Sequence, residues 1–148
     1  MTTLWATIVV IGVLVFVHEL GHYLAARCVG IRVERFSVGF PPRLFTFTSE
    51  DEGWLIQMYF FYRPSGGKWE WQAVWKKKVL VSGKAGTSTE YCLALIPLGG
   101  YVKMAGIIDE SMDTNITSAP DEFMSKSFLS QVFVMSAGVI MNVLFAFS

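Results

Sequence analysis

The chain has 148 residues, of which 53% are hydrophobic and only 16% charged, and its formal net charge is zero. That length allows one domain or part of a larger one, and a charged fraction below the roughly one quarter usual in soluble domains points to a membrane protein. A neutral chain offers no bulk attraction for nucleic acid or an acidic partner, so no nucleic-acid function is expected.

In chain order, Leu4 to Val17 (LWATIVVIGVLVFV) is apolar except for Thr7, on every side of a helix. A helix without a polar face belongs in lipid or a protein interior. The run continues through HELGHYLAA, which predicts a transmembrane helix over 4–26, long enough to cross a bilayer. A cleaved signal peptide fits poorly, because no positive charge precedes the apolar run and HELGH stands where a cleavage site would fall.

No Lys or Arg precedes Arg27 and none follows Lys126. With Arg27, Arg32, Arg35 and Arg43 clustered after the first apolar run, the positive-inside rule places residues 27–127 in the cytoplasm and the N-terminus outside. Cys28 and Cys92 form no metal or redox spacing, and on that side both are expected as reduced thiols.

RVERFSVGF (32–40) alternates polar and apolar residues as a half-buried strand does, and PPR (41–43) is expected to break it. SEDEG (49–53) reads as a polar turn, and WLIQMYFFY and WEWQAV as β-rich runs around the turn RPSGGK (63–68). Lys76 to Lys78, near Trp54, Trp69, Trp71 and Trp75, suit either a membrane-interface patch or a solvated basic hairpin. TEYCLALIPLGGYVKMAG (89–106) predicts two strands, or a strand and an extended return, joined at PLGG.

Residues 107–123 read as a polar, weakly acidic loop, and Phe128 to Ser148 as a second crossing helix without charge. There Ser136, Ala137 and Gly138 would let another helix come close. The expected fold is a mainly α-helical membrane protein whose two transmembrane helices flank a cytoplasm-facing, membrane-associated β-hairpin or sheet. With no polar flank after the second helix, the chain reads as a fragment.

His18-Glu19-Leu20-Gly21-His22 is an HExxH motif holding both histidines of the chain. Residues four apart share a helix face, so two imidazoles can reach one ion. Glu19, one position on, is placed to take a proton from a water activated there. A carboxylate inside an apolar helix costs about 2.5 to 3.5 kcal/mol at a central position, which favours a functional role over chance.

HELGHYLAAR (18–27), RVERFSVGF (32–40), TEYCLALIPLGGYVKM (89–104), KSF (126–128) and SAGVIMN (136–142), in this order, resemble the site-2 protease family. The nearest branch is the bacterial one that includes the regulator-of-sigma-E protease. The resemblance implies a zinc endopeptidase that cleaves membrane-spanning substrates in or near the bilayer. It implies Zn2+ held by His18 and His22, with Glu19 as base. Membrane lipid and single-pass proteins such as anti-sigma factors would be its partners, in a multi-pass protein of the inner (plasma) membrane. The PLGGYVKM block would present the substrate through Gly99, Gly100 and Tyr101, the plainer reading being that the glycines only turn the chain.

The family's third ligand, an aspartate of a later transmembrane segment, has no counterpart here, and Asp109, Asp113 and Asp121 match no ligand motif. PDZ domains and the C-terminal catalytic half are missing too, so the 148 residues alone are expected to be inactive. Residues 48–88 look like an insertion, and Val139 stands where relatives often carry proline. The competing readings are a non-catalytic membrane scaffold that binds transmembrane segments, against which the retained Glu19 argues, and a soluble zinc peptidase with an apolar leader.

Overall fold

The computed structural model describes residues 1–50, 53–62, 70–80, 89–107 and 119–148. The first element, α1 (Thr2–Cys28), covers the first apolar run and the HExxH motif. It ends where Gly30 takes φ +72°. The Ile31 N–H returns to the Ala26 carbonyl at 2.8 Å and the Gly30 N–H to that of Arg27 at 3.2 Å, which closes the last turn as a Schellman motif. This reversal sends the chain back along α1 into the sheet.

Four strands follow: β1 (Val33–Glu50), β2 (Gly53–Tyr62), β3 (Glu70–Leu80) and β4 (Glu90–Met104), in the spatial order β3-β2-β1-β4. β1 and β2 pair antiparallel from Glu50 opposite Gly53, and β2 with β3 from Tyr62 opposite Glu70. The two β-rich runs therefore pair as expected, while the turn RPSGGK lies outside the described residues.

The β1–β4 ladder is folded in half. Arg35 to Val38 lie opposite Lys103 to Gly100 in antiparallel register, and Phe45 to Thr48 opposite Leu93 to Glu90. The same Arg35, Phe36, Ser37 and Val38 also lie opposite Glu90, Tyr91, Cys92 and Leu93, with both numbers rising together. Each strand thus doubles back, β1 near Gly39 and β4 between Leu93 and Gly100. Gly39 has φ +89°, and a Cβ there would stand 2.8 Å from the Ile96 carbonyl oxygen. Glu90 ties the layers together: its Oε2 accepts from Arg35 Nε at 2.7 Å and its Oε1 lies 3.5 Å from Arg43 Nη1.

Two expectations need correction. PPR does not end the strand; Pro41 and Pro42 fall in the fold of β1, between Phe40 opposite Ile96 and Arg43 opposite Ala94, where the register shifts. A proline cannot donate to the ladder but is tolerated at such an irregularity. Nor is the fold mainly α-helical: among the described residues the four strands hold more residues than the helices. The two apolar helices flanking a β-region are as expected.

The sheet lies against α1 through the face that carries Phe36 and Tyr91. Tyr23 stacks edge-on to Phe36 at 5.3 Å and shares a 2.7 Å hydrogen bond with the Tyr91 hydroxyl. Beyond β4, the Phe123 N–H donates to the Ala105 carbonyl, and Asp121 pairs with Arg32 at 3.2 Å. A short 3-10 turn (Phe123–Ser125) leads into α2 (Phe128–Ala146). The Ser127 hydroxyl accepts from the Ser130 N–H there, as a helix cap does.

The buried cluster Ala25, Ala26, Ile31, Val33, Met104, Phe123, Val134 and Ala137 gathers the end of α1, the outer ends of β1 and β4, and the first half of α2. Most of both helices lies outside it, with Trp5, Val9, Val10, Leu129, Met135 and Leu144 exposed. A core helix of a soluble protein would be mostly buried. These two are long and apolar enough to cross a membrane and present their apolar surface outward.

Candidate metal centre

His18, Glu19 and His22 lie in the second half of α1, about 15 Å or less from its Cys28 end at 1.5 Å per residue. One turn apart, the two imidazoles leave the same face of the helix, and their Nε2 atoms approach to 3.1 Å with the rings at 75°. Two nitrogens bound to one tetrahedral zinc at about 2.0–2.1 Å would stand about 3.3 Å apart. The spacing suits a shared cation.

α2 crosses α1 antiparallel at this level. His18 lies beside Asn142, Gly21 beside Ala137 and Met141, and His22 beside Val134 and Gly138. Val134, Gly138 and Asn142 are four apart, so one stripe of α2 faces the HExxH stripe of α1. Small residues make the approach close: a Cβ on Gly21 would stand 2.5 Å from the Ala137 carbonyl oxygen. Ala137 and Gly138 therefore do what the sequence suggested, whereas the Ser136 hydroxyl bonds back to the Val132 carbonyl at 2.8 Å on the exposed side.

The second nitrogen of His22 is held. Its Nδ1 lies 2.8 Å from the Val134 carbonyl oxygen, which only accepts, so Nδ1 carries the proton and Nε2 presents a lone pair. Gly138 leaves that lone pair room. A Cβ on it would stand 2.5 Å from His22 Nε2 and 2.6 Å from His18 Nε2, in the space both nitrogens face. The convergent ring nitrogens, the held ring and the cradle kept open by glycine fit a divalent cation.

Glu19 points elsewhere, as a base outside the ligand set must. About 100° around the helix from His18 and about 60° from His22, it faces β4, with its Cγ 3.2 Å from where a Gly100 Cβ would be. That same Cβ would meet the Ser37 carbonyl oxygen at 2.7 Å, so only glycine lets β4 pass between β1 and Glu19. Gly99 backs onto the Phe40 ring. Tyr101, on the opposite sheet face by strand alternation, accepts from Arg35 Nη1 at 3.4 Å and is turned away from Glu19. Of the three residues read as substrate contacts, the fold brings Gly100 alone to the motif.

Among the described residues no group of three His, Cys, Asp or Glu converges. Asp121 is engaged by Arg32, and Asp109 and Asp113 lie outside the described residues. Asn142 lies in the block SAGVIMN that resembles the family, but no spacing pattern ties it to the histidines. The signal was there: a carboxamide deep in an uncharged apolar helix is costly and needs a partner.

An HExxH helix crossed by a second apolar helix, with its glutamate facing a sheet edge, has the layout of a metallopeptidase centre. The chain belongs to Peptidase family M50, whose profile matches residues 6–78 and 59–148. It is 38% identical to Protease RseP of Yersinia pestis over 99% of this chain and 25% of that protein. Regulator of sigma-E protease RseP of Escherichia coli is 36% identical over 94% of this chain and 22% of its own length. A Helicobacter pylori protein named as a zinc metalloprotease is 31% identical, over 94% of this chain and 29% of its own. The chain thus spans about a quarter of the length of the curated relatives it matches.

Proposed function

We propose that these residues are the N-terminal part of an intramembrane zinc endopeptidase, with His18 and His22 as two ligands and Glu19 as general base. The observation that carries this reading is the pair of Nε2 atoms 3.1 Å apart beneath Gly138, on a helix apolar on all sides. When bound, zinc supplies Lewis acidity and lowers the pKa of a water to about 7. His18 and His22 would hold the ion through their Nε2 atoms. Glu19, outside the ligand set, takes the proton of the attacking water and can return it to the leaving amine. The third ligand comes from a carboxylate beyond this chain, so the 148 residues alone are inactive.

The sheet supplies the second half of the reading. A helical substrate hides its peptide bonds and must be extended before cleavage. Among the described residues, the second half of β4 borders β1 on one side only, and Gly100 on it lies against Glu19. A substrate segment adding to that edge as a strand would run past the glutamate. Phe40, Leu95 and Ile96, at the fold of β1 and β4, are exposed and apolar, as suits a tip dipped into lipid. By analogy with the sigma-E regulator of Escherichia coli, the substrates are single-pass membrane proteins such as anti-sigma factors. The protein sits in the plasma membrane with residues 27–127 on the cytoplasmic side.

The test is Glu19→Gln in the full-length protein. Cleavage of a single-pass substrate in vesicles falls by at least about a hundredfold, in line with loss of general base catalysis, while bound zinc stays at wild-type level. Wild-type cleavage by this variant would overturn the assignment of Glu19.

A further inference from the structure

Asn142 stands at the other end of the histidine pair from Val134. Its Nδ2 lies 3.4 Å from His18 Nδ1, and its Oδ1 is buried with no hydrogen-bond partner. The two ends of a carboxamide exchange places by half a turn about Cβ–Cγ, so Asn142 can set either its NH2 or its oxygen against His18 Nδ1. At the opposite end of the pair the Val134 carbonyl holds His22 Nδ1 at 2.8 Å.

A shared cation requires both Nε2 lone pairs to be bare, which puts the ring proton of a ligating His18 on Nδ1, the side that faces Asn142. With its oxygen on that side the amide accepts from Nδ1–H, and its buried oxygen gains a partner. We propose that Asn142 is the positioning residue of His18, its amide oxygen accepting from Nδ1–H while Nε2 faces the ion. Val134 and Asn142, two turns apart on α2, then hold one imidazole each from behind. This inference rests on the metal reading of His18 and His22 and adds a residue from the second helix to it.

The experiment uses the full-length protein in detergent, with zinc as the probe and chelator competition as the readout. An accepting group behind a ligand histidine is worth about 10–100-fold in metal affinity. Asn142→Leu, similar in size but unable to accept, weakens zinc binding by that factor. Asn142→Asp, which keeps an acceptor at the same place, binds within about threefold of wild type or more tightly. A purely structural role predicts the reverse order, since leucine suits an apolar helix and a carboxylate does not. Wild-type protein labelled with 15N in histidine gives a second readout that needs no variant. With zinc bound, His18 shows its proton on Nδ1. A zinc-loaded His18 with its proton on Nε2, or wild-type affinity in Asn142→Leu, overturns the proposal. His18→Ala separates it from the reading beneath it. Loss of zinc in His18→Ala beside full affinity in Asn142→Leu sinks the role of Asn142 alone. Full zinc affinity in His18→Ala sinks the metal centre itself.

Discussion

At position 138 the missing side chain keeps the centre open. A Cβ would stand 2.5 and 2.6 Å from the two Nε2 atoms, close to where a shared ion would bind both. Gly138→Ala is therefore expected to weaken zinc binding in the full-length protein at least about tenfold, on the scale of losing a well-placed supporting group. Chelator competition measures it, and unaltered affinity would mean that the ion sits elsewhere. The cysteines offer a second check at this scale. Both are free, Cys28 exposed and Cys92 buried, and burial pushes the Cys92 thiol up from its usual range. The neutral thiol is the weaker nucleophile. Alkylation of the folded protein at pH 8 should modify Cys28 quickly and leave Cys92 untouched until denaturant is added; equal labelling would contradict the burial of the inner β4 segment.

At the scale of elements, the folded ladder of β1 and β4 places Gly100 against Glu19, and it turns on Gly39. With φ at +89° and carbonyl oxygens of Ile96 and Ala94 at 2.8 and 3.1 Å from its would-be Cβ, Gly39→Val meets both backbone strain and a clash. The expected cost is about 1–3 kcal/mol of stability, seen as a lower midpoint of thermal unfolding, with loss of cleavage where the sheet is displaced. A variant as stable and active as wild type would show that β1 does not turn there. Periodicity located these strands but not their folding. Alternation in RVERFSVGF and the PLGG block marked two extended segments, yet PPR read as an end because the pairing that carries a strand past prolines belongs to a partner some fifty residues away. Which of Gly99, Gly100 and Tyr101 faces the motif was likewise hidden, since register decides which face each residue takes and a shift of one exchanges them.

At the scale of the whole molecule, two apolar helices cross at the motif and a mixed-surface sheet leans on one of them. The exposed apolar surface of α1 and α2 has lipid as its natural cover. Carbonate extraction of membranes should leave the full-length protein in the pellet, and release into the supernatant would remove the intramembrane reading. Much of this was legible in residue order alone. The absence of charge in the two helical runs, the four-residue spacing of His18 and His22, and the adjacent Glu19 depend on local chemistry and helix period, which any stretch of sequence carries. Tertiary structure decided what lies across from them: Val134 and Asn142 behind the imidazoles, Gly138 over their nitrogens, and Gly100 beside the glutamate. Those partners sit about eighty residues or more from the motif. Their roles arise from close packing of separate segments, and no local pattern encodes which atom of one helix will meet which atom of another.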